Sequence, residues 1–295
     1  MQSSYALIVR GIRTASAASP ALGGALAYRA FFRTAPRMPV HPRDAETHSA
    51  ARRGTIVVRD AEVCTYEWGA GDRTVLLLHG WQGRASQFAP LVRELVSEGF
   101  RVVSFDAPAH GSSGGRRTDI RDWVEAAGRL QSLAGPFSAL IGHSFGALAA
   151  LTIARSNVPA DTVVAISGAA SPAAFVAEFT REIGLGDATV ARLEQRFRAR
   201  LGVDERELVA RYDAARHPLP EGTELLVVHD RADRRMPDAD ALRLHAAHAG
   251  RSRLVRTEGF GHTRILQADA VLDAVIEQLH GAGRRISDGQ SGRAQ

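Results

Sequence analysis

Six short apolar runs constrain this chain more than anything else in it. TVLLLHG (74–80), RVVSFD (101–106), FSALIGH (137–143), TVVAIS (162–167), ELLVVHD (224–230) and SRLVRTEG (252–259) are too continuous to be strands with one wet face. Runs of this kind suit parallel strands covered on both sides. Helical spacing fills most of the gaps between them. In 86–98 the apolar residues Phe88, Leu91, Val92, Leu95 and Val96 recur at three- and four-residue intervals, and 118–134, 145–155, 238–248 and 263–280 behave similarly. Strand alternating with helix predicts an α/β fold, a doubly wound and mostly parallel sheet. Ahead of it, TIVVRD and VCTYEW, separated by Ala61 and Glu62, predict an N-terminal antiparallel β-hairpin.

Two stretches fall outside the alternation. Between Ser171 and Glu224 lie about fifty residues with helical patterning and many charges, among them VARLEQRFRARLG and ERELVARY. That is too long for a loop in a compact domain and reads as an inserted helical cap. The other stretch is the start of the chain, where Asp44 is the first acid and Arg10, Arg13, Arg29, Arg33, Arg37 and Arg43 stand among small residues. Its apolar runs fall short of the ~18 residues needed to cross a membrane. Two readings stay open. One is a helical arm docked on the domain through a stripe including Leu22, Leu26, Phe31 and Phe32. The other is a transit segment, or an arm making weak contact with an anionic membrane surface. Pro36, Pro39 and Pro42 would stiffen the link into the domain. The expected organisation is therefore an arm and linker at 1–45, a core at 46–171 and 223–281, and a cap at 172–222. A Gly-, Ser- and Arg-rich tail at 282–295 is expected to be disordered.

Composition closes several alternatives. With 45% hydrophobic residues over 295 positions the chain can bury a core, so it is not a disordered protein. Cys64 is its only cysteine, which excludes an internal disulfide, a cysteine-cluster zinc site and iron–sulfur ligation, and fits a reducing, cytoplasmic setting. The net charge is +5, and all 37 basic residues are arginines. They are interspersed with 32 acids rather than gathered on one stretch, which argues against a nucleic-acid partner.

The sharpest local signal is Gly142-His143-Ser144-Phe145-Gly146, placed between a buried strand and a helix. A serine at that junction projects its hydroxyl from the sheet only through a strained turn, which leaves no space for side chains two residues to either side. With this motif the chain resembles the α/β-hydrolase family, from about residue 55 to 280. His79-Gly80-Trp81 stands where the family places its oxyanion loop. Asp106-Ala107-Pro108-Ala109-His110-Gly111-Ser112-Ser113 resembles the turn after the next strand, with Ala109 where glycine is usual. His229 to Pro237 resembles the family's acid loop, with Asp233 at the acid position, and Gly259-Phe260-Gly261-His262 resembles the histidine loop.

The resemblance implies a Ser144–Asp233–His262 triad and no cofactor. His262 would take the serine proton, and Asp233 would hold the imidazole in its working tautomer. The backbone N–H groups of Trp81 and Phe145 would form the oxyanion hole. Asp230 is the rival acid, and Asp106 reads as a turn-bonding carboxylate. His79 and His143 read as loop-fixing residues. His245 and His248, three apart on a helix, lack a third ligand nearby, so no metal is expected. Phe175, Phe179 and Phe197 are expected to fasten the cap to the sheet, with lining of an acyl pocket as the other possibility.

The expected activity is serine hydrolysis of a carboxylic ester or thioester of a small to medium acyl group, a small-molecule substrate. An acyltransferase or peptidase using the same triad is the alternative, as is a non-catalytic ligand-binding or membrane-associated protein on the same fold.

Overall fold

The structure, a computed structural model, describes the backbone of residues 2–291 and the side chains of residues 5–282. It opens with two helices, α1 (Gln2–Ala18) and α2 (Pro20–Phe31), broken at Ser19, whose hydroxyl accepts from the Leu22 amide and caps α2. A short α3 (Ala45–Ser49) leads into β1 (Arg52–Val58) and β2 (Ala61–Trp68). Strands and helices then alternate: β3 (Thr74–Leu78), α4 (Ala89–Ser97), β4 (Arg101–Phe105), α5 (Ile120–Ala134), β5 (Phe137–His143), α6 (Phe145–Ala154) and β6 (Ala160–Ile166). The insertion contributes α7 (Pro172–Ile183), α8 (Asp187–Leu201) and α9 (Glu205–Tyr212). The chain then runs through β7 (Glu224–Asp230), α10 (Asp238–Ala247), β8 (Ser252–Thr257), α11 (Gly261–Arg264) and α12 (Asp269–Ser291).

The strands form one eight-stranded sheet in the order β1-β2-β4-β3-β5-β6-β7-β8. It is parallel from β4 through β8, and antiparallel where β2 meets β1 and β4. This is the α/β-hydrolase fold, as expected. From β3 the chain goes to β4 on one side and to β5 on the other. A crevice therefore opens at the carboxyl ends of the central strands, where such sheets bind ligands. Successive side chains point to opposite faces. Leu76 and Leu78 join the core over α5, α6 and α10, and Val75 and Leu77 join the one over α4 and α12. A third apolar cluster unites the arm and the insertion, with Ile12 and Ala27 against Val176, Leu193 and Phe197, and reaches the core through Ile120 and Leu148.

Three expectations need correction. The hairpin turn is Arg59-Asp60 rather than Ala61-Glu62, because Val58 pairs with Ala61 and both 61 and 62 lie in β2. Arg59 takes a left-handed φ of 51°, and its guanidinium ties the turn to Asp119 and Asp122, a partnership no local signal announces. Leu22 is not in the docking stripe; it is 52% exposed. Leu26, Phe31 and Phe32 do pack on the cluster, and the fully buried residues of α2 beside them are Gly23, Gly24 and Ala27. A Cβ on Gly23 would lie 2.2 Å from Ser16 Oγ, and one on Gly24 2.5 Å from Arg192 Cβ, so the two glycines let α2 approach its neighbours closely. Third, the tail expected to be disordered from 282 continues α12 to Ser291. Extending an existing helix avoids the cost of nucleating one, and the segment holds no proline. The rest of that expectation, at 292–295, lies outside the described residues.

Candidate active site

Ser144 sits between β5 and α6 with φ 56° and ψ −121°, a conformation strained for any residue with a side chain. The turn is possible because its flanks are bare. A Cβ on Gly142 would lie 2.1 Å from the Gly146 carbonyl oxygen, and one on Gly146 would lie 1.9 Å from that of Leu78. The Ser144 amide donates to the Ile166 carbonyl at 2.9 Å, fixing the turn to the neighbouring strand.

Asp233 follows β7 and His262 opens α11 after β8. His262 Nε2 is 2.9 Å from Ser144 Oγ, and His262 Nδ1 is 2.7 Å from Asp233 Oδ2. Asp233 Oδ2 can only accept, so Nδ1 carries the proton and Nε2 is free to accept the serine's. The Asp233 side chain is fully buried. Burial works to raise its pKa, but the His262 hydrogen bond and the amides of Met236 and Arg235 outweigh it, leaving the carboxyl below its ordinary value. The structure thus brings together the three residues expected of a triad.

Asp230 does other work. Its Oδ1 accepts from the Ala232 amide and its Oδ2 from Thr257 Oγ1 and the Phe260 amide, clamping the acid loop to the histidine loop. His143 donates from Nε2 to the His262 carbonyl at 2.7 Å. Burial, helped by the neighbouring His262, pushes its imidazole down to about 3, so it is a neutral brace. His79 accepts the Ala107 amide at Nε2 and therefore donates from Nδ1 to the Gly80 carbonyl, pinning the loop after β3. Asp106, wholly buried, accepts from Tyr66 Oη and the amides of Ala85 and Ser112. The turn it organises keeps Ala109 at φ 65°, so alanine adopts the backbone that glycine would take freely. On α10, His245 meets Ser252 Oγ, and His248 accepts the Leu219 amide and donates to Leu244.

The proposed oxyanion donors lie beside the serine. A Cβ on Gly80 would come within 3.0 Å of Ser144 Cβ, so the loop bearing Trp81 runs directly past the hydroxyl. Among the described residues the Trp81 and Phe145 amide N–H groups have no protein acceptor, as expected at the first position of a helix for Phe145.

A cavity of about 990 Å³ opens over Ser144 and His262. Phe175, Phe179 and Phe197 line it. Phe175 meets the core ring of Phe145 at 5.9 Å, whereas Phe179 and Phe197 pack on the arm rather than on the sheet. Sequence reading missed the lining residues Tyr5, Phe31, Phe32, Gln82 and Met236. The only signal for them in the sequence is the Phe31-Phe32 pair, which the apolar pattern assigns to the docking stripe. No helix among the described residues is long and apolar enough to cross a membrane.

A mostly parallel sheet presenting serine, carboxylate and imidazole after β5, β7 and β8 defines an α/β protein with these three side chains in one hydrogen-bonded line. The sequence pattern of the alpha/beta hydrolase family matches residues 75–286, and the chain belongs to that family. Solved structures share the fold at low identity. A Pyrococcus furiosus esterase is 20% identical with a TM-score of 0.61, over 86% of this chain and 98% of that one. The alpha/beta hydrolase domain-containing protein 10 from mouse is 16% identical with a TM-score of 0.61, over 80% and 100%. A monoacylglycerol lipase from Paleococcus ferrophilus is 20% identical with a TM-score of 0.55, over 75% and 99%. No curated protein sequence matches the chain.

Proposed function

We propose that the chain is a serine hydrolase that cleaves a carboxylic ester or thioester of a small to medium acyl group through an acyl-enzyme. The observation that carries this reading is the continuous hydrogen-bonded line from Ser144 Oγ through His262 to Asp233. Ser144 Oγ attacks the carbonyl carbon while His262 Nε2 takes its proton. The oxyanion lies against the amides of Trp81 and Phe145, each such donor lowering the barrier by roughly 3 kcal/mol. Collapse of the adduct expels the alcohol or thiol, which leaves with the proton from His262. Water, deprotonated by the same imidazole, then hydrolyses the ester formed on Ser144. No step needs a cofactor. The insertion would act as a cap over the acyl pocket. The esterase and lipase among the similar structures lean the same way, and the single thiol suits a cytoplasmic setting.

The test is labelling with a fluorophosphonate. Stoichiometric modification of the wild type, lost in Ser144→Ala, is expected; a folded wild type that takes no label would instead favour a ligand-binding protein on this fold. One observation favours a weak membrane contact by the arm as a second reading. Leu7 on α1 is 69% exposed and near the exposed Arg10. Co-sedimentation with anionic vesicles, lost when Leu7 becomes serine, is what that reading requires.

A further inference from the structure

The ring contacts around the cavity form one connected chain drawn from four separate parts of the sequence. Beside Ser144, Phe145 and Trp81 meet at 5.2 Å, and Trp81 meets Phe32 of the arm at 6.1 Å. Phe32 stacks on Phe197 at 5.7 Å, Phe197 meets Phe31 at 5.9 Å, and Phe31 meets Phe179 edge-on at 5.2 Å. All six rings line the cavity.

The arm is held in this place by polar contacts to the core and to the insertion. The Arg33 carbonyl accepts from both Trp81 Nε1, at 2.9 Å, and Gln82 Nε2, at 3.0 Å, so the end of the arm is tied to the loop bearing the proposed oxyanion donor. The Arg200 guanidinium lies 4.4 Å over the Phe32 ring and pairs with buried Asp119 at 3.3 Å. Arg13 Nε donates to the Ile183 carbonyl at 2.6 Å, closing α1 onto the insertion. Phe31 and Phe32 are only half-buried, so rings fixed in position still present surface to the cavity.

We propose that the N-terminal arm is part of the acyl site, and that Phe31 and Phe32 select a ring-bearing acyl group, such as a phenylalkanoyl group, over a linear one of similar size. The proposal rests on the serine-hydrolase reading and names its substrate class. The physical reason is the wall itself. Offset and edge-on ring pairs contribute about 0.5–1.5 kcal/mol beyond their buried area, which a methylene chain cannot recover. Fixed rings also lose no freedom on binding, unlike a flexible aliphatic wall.

The experiment compares kcat/KM for the p-nitrophenyl esters of hydrocinnamic and octanoic acids in the full chain. The wild type is expected to prefer the hydrocinnamate by about tenfold, the upper end of the ring-contact contribution. Phe31→Leu and Phe32→Leu, which keep an apolar side chain but remove the ring, should each cut that ratio severalfold. Thermal melts and fluorophosphonate labelling of every variant show that it is folded with Ser144 reactive. A ratio at or below one in the wild type, or an unchanged ratio in both labelled variants, overturns the proposal. Failure of the wild type to label is a different result and sinks the serine-hydrolase reading itself.

Discussion

At the rim of the sheet, Ser144, Asp233 and His262 are held by backbone with nowhere to move. Gly142 and Gly146 press against carbonyl oxygens, Asp230 clamps two loops with three hydrogen bonds, and His143 pins the base through its own carbonyl. Across the cavity, Phe31, Phe32, Phe179 and Phe197 are held by ring contacts of 5.2 to 5.9 Å between an arm and an insertion. The constraints on the first region are directional, so substitutions there are expected to be costly. The second uses non-directional packing, so it can change its side chains, and with them its ligand, without disturbing the chemistry opposite. On the proposed reading, reactivity belongs to the first region and selectivity to the second.

The sharpest division lies within the rim. Asp233→Asn should lower kcat by about ten-thousandfold, because the amide lets the imidazole settle in the wrong tautomer, with little change in the melting temperature. Asp230→Asn should do the reverse. It weakens the tie between loops by about 1–3 kcal/mol, seen as a lower melting temperature. Steady-state ester kinetics paired with thermal melts check both, and equal loss of activity in the two variants would erase the assigned difference in role.

Acid should loosen the rim before the wall. His110 and His143 are buried, and burial pushes both imidazoles down to about 3; α1, α2 and α7 to α9 contain no histidine. Their folded pKa values lie below the unfolded value of ~6.5, so the unfolded chain takes up protons that the folded chain refuses. The stabilisation is complete above pH ~6.5 and drains as pH falls toward 3. Between pH 7 and 5 the linkage removes about 2 kcal/mol per histidine. Denaturant midpoints across that range, with His110→Phe flattening the slope, test this; a midpoint constant from pH 7 to 5 contradicts it.

Two further substitutions complete the contrast. Gly146→Ala places a methyl group on the Leu78 carbonyl and should destabilise by about 3 kcal/mol, with labelling of Ser144 impaired. Leu22→Ser, on the outer face of the arm, should stay within about 0.5 kcal/mol of wild type in chemical denaturation.

The parts legible in the sequence were those whose cause is local. Leu76, Leu77 and Leu78 read as a doubly covered strand because both faces are in fact covered. Gly142 and Gly146 announced the strained serine because only glycine fits there. The hairpin turn falls at Arg59-Asp60, where Arg59 is tied to Asp119 and Asp122, partners about sixty residues away that leave no mark near the turn. In α2 the apolar stripe marks Leu26, Phe31 and Phe32, which pack, but not Gly23 and Gly24, because glycine leaves no mark in an apolar stripe.

The alternation of strands and helices, the bare turn around Ser144 and the chain order Ser144, Asp233, His262 were determined by the chain alone, since each follows from neighbours along it. That residues 31 and 32 meet residues 179 and 197 over the same hydroxyl was decided only by the tertiary structure. Contacts between segments about 150 residues apart depend on where the intervening sheet delivers them, and no local pattern carries that information.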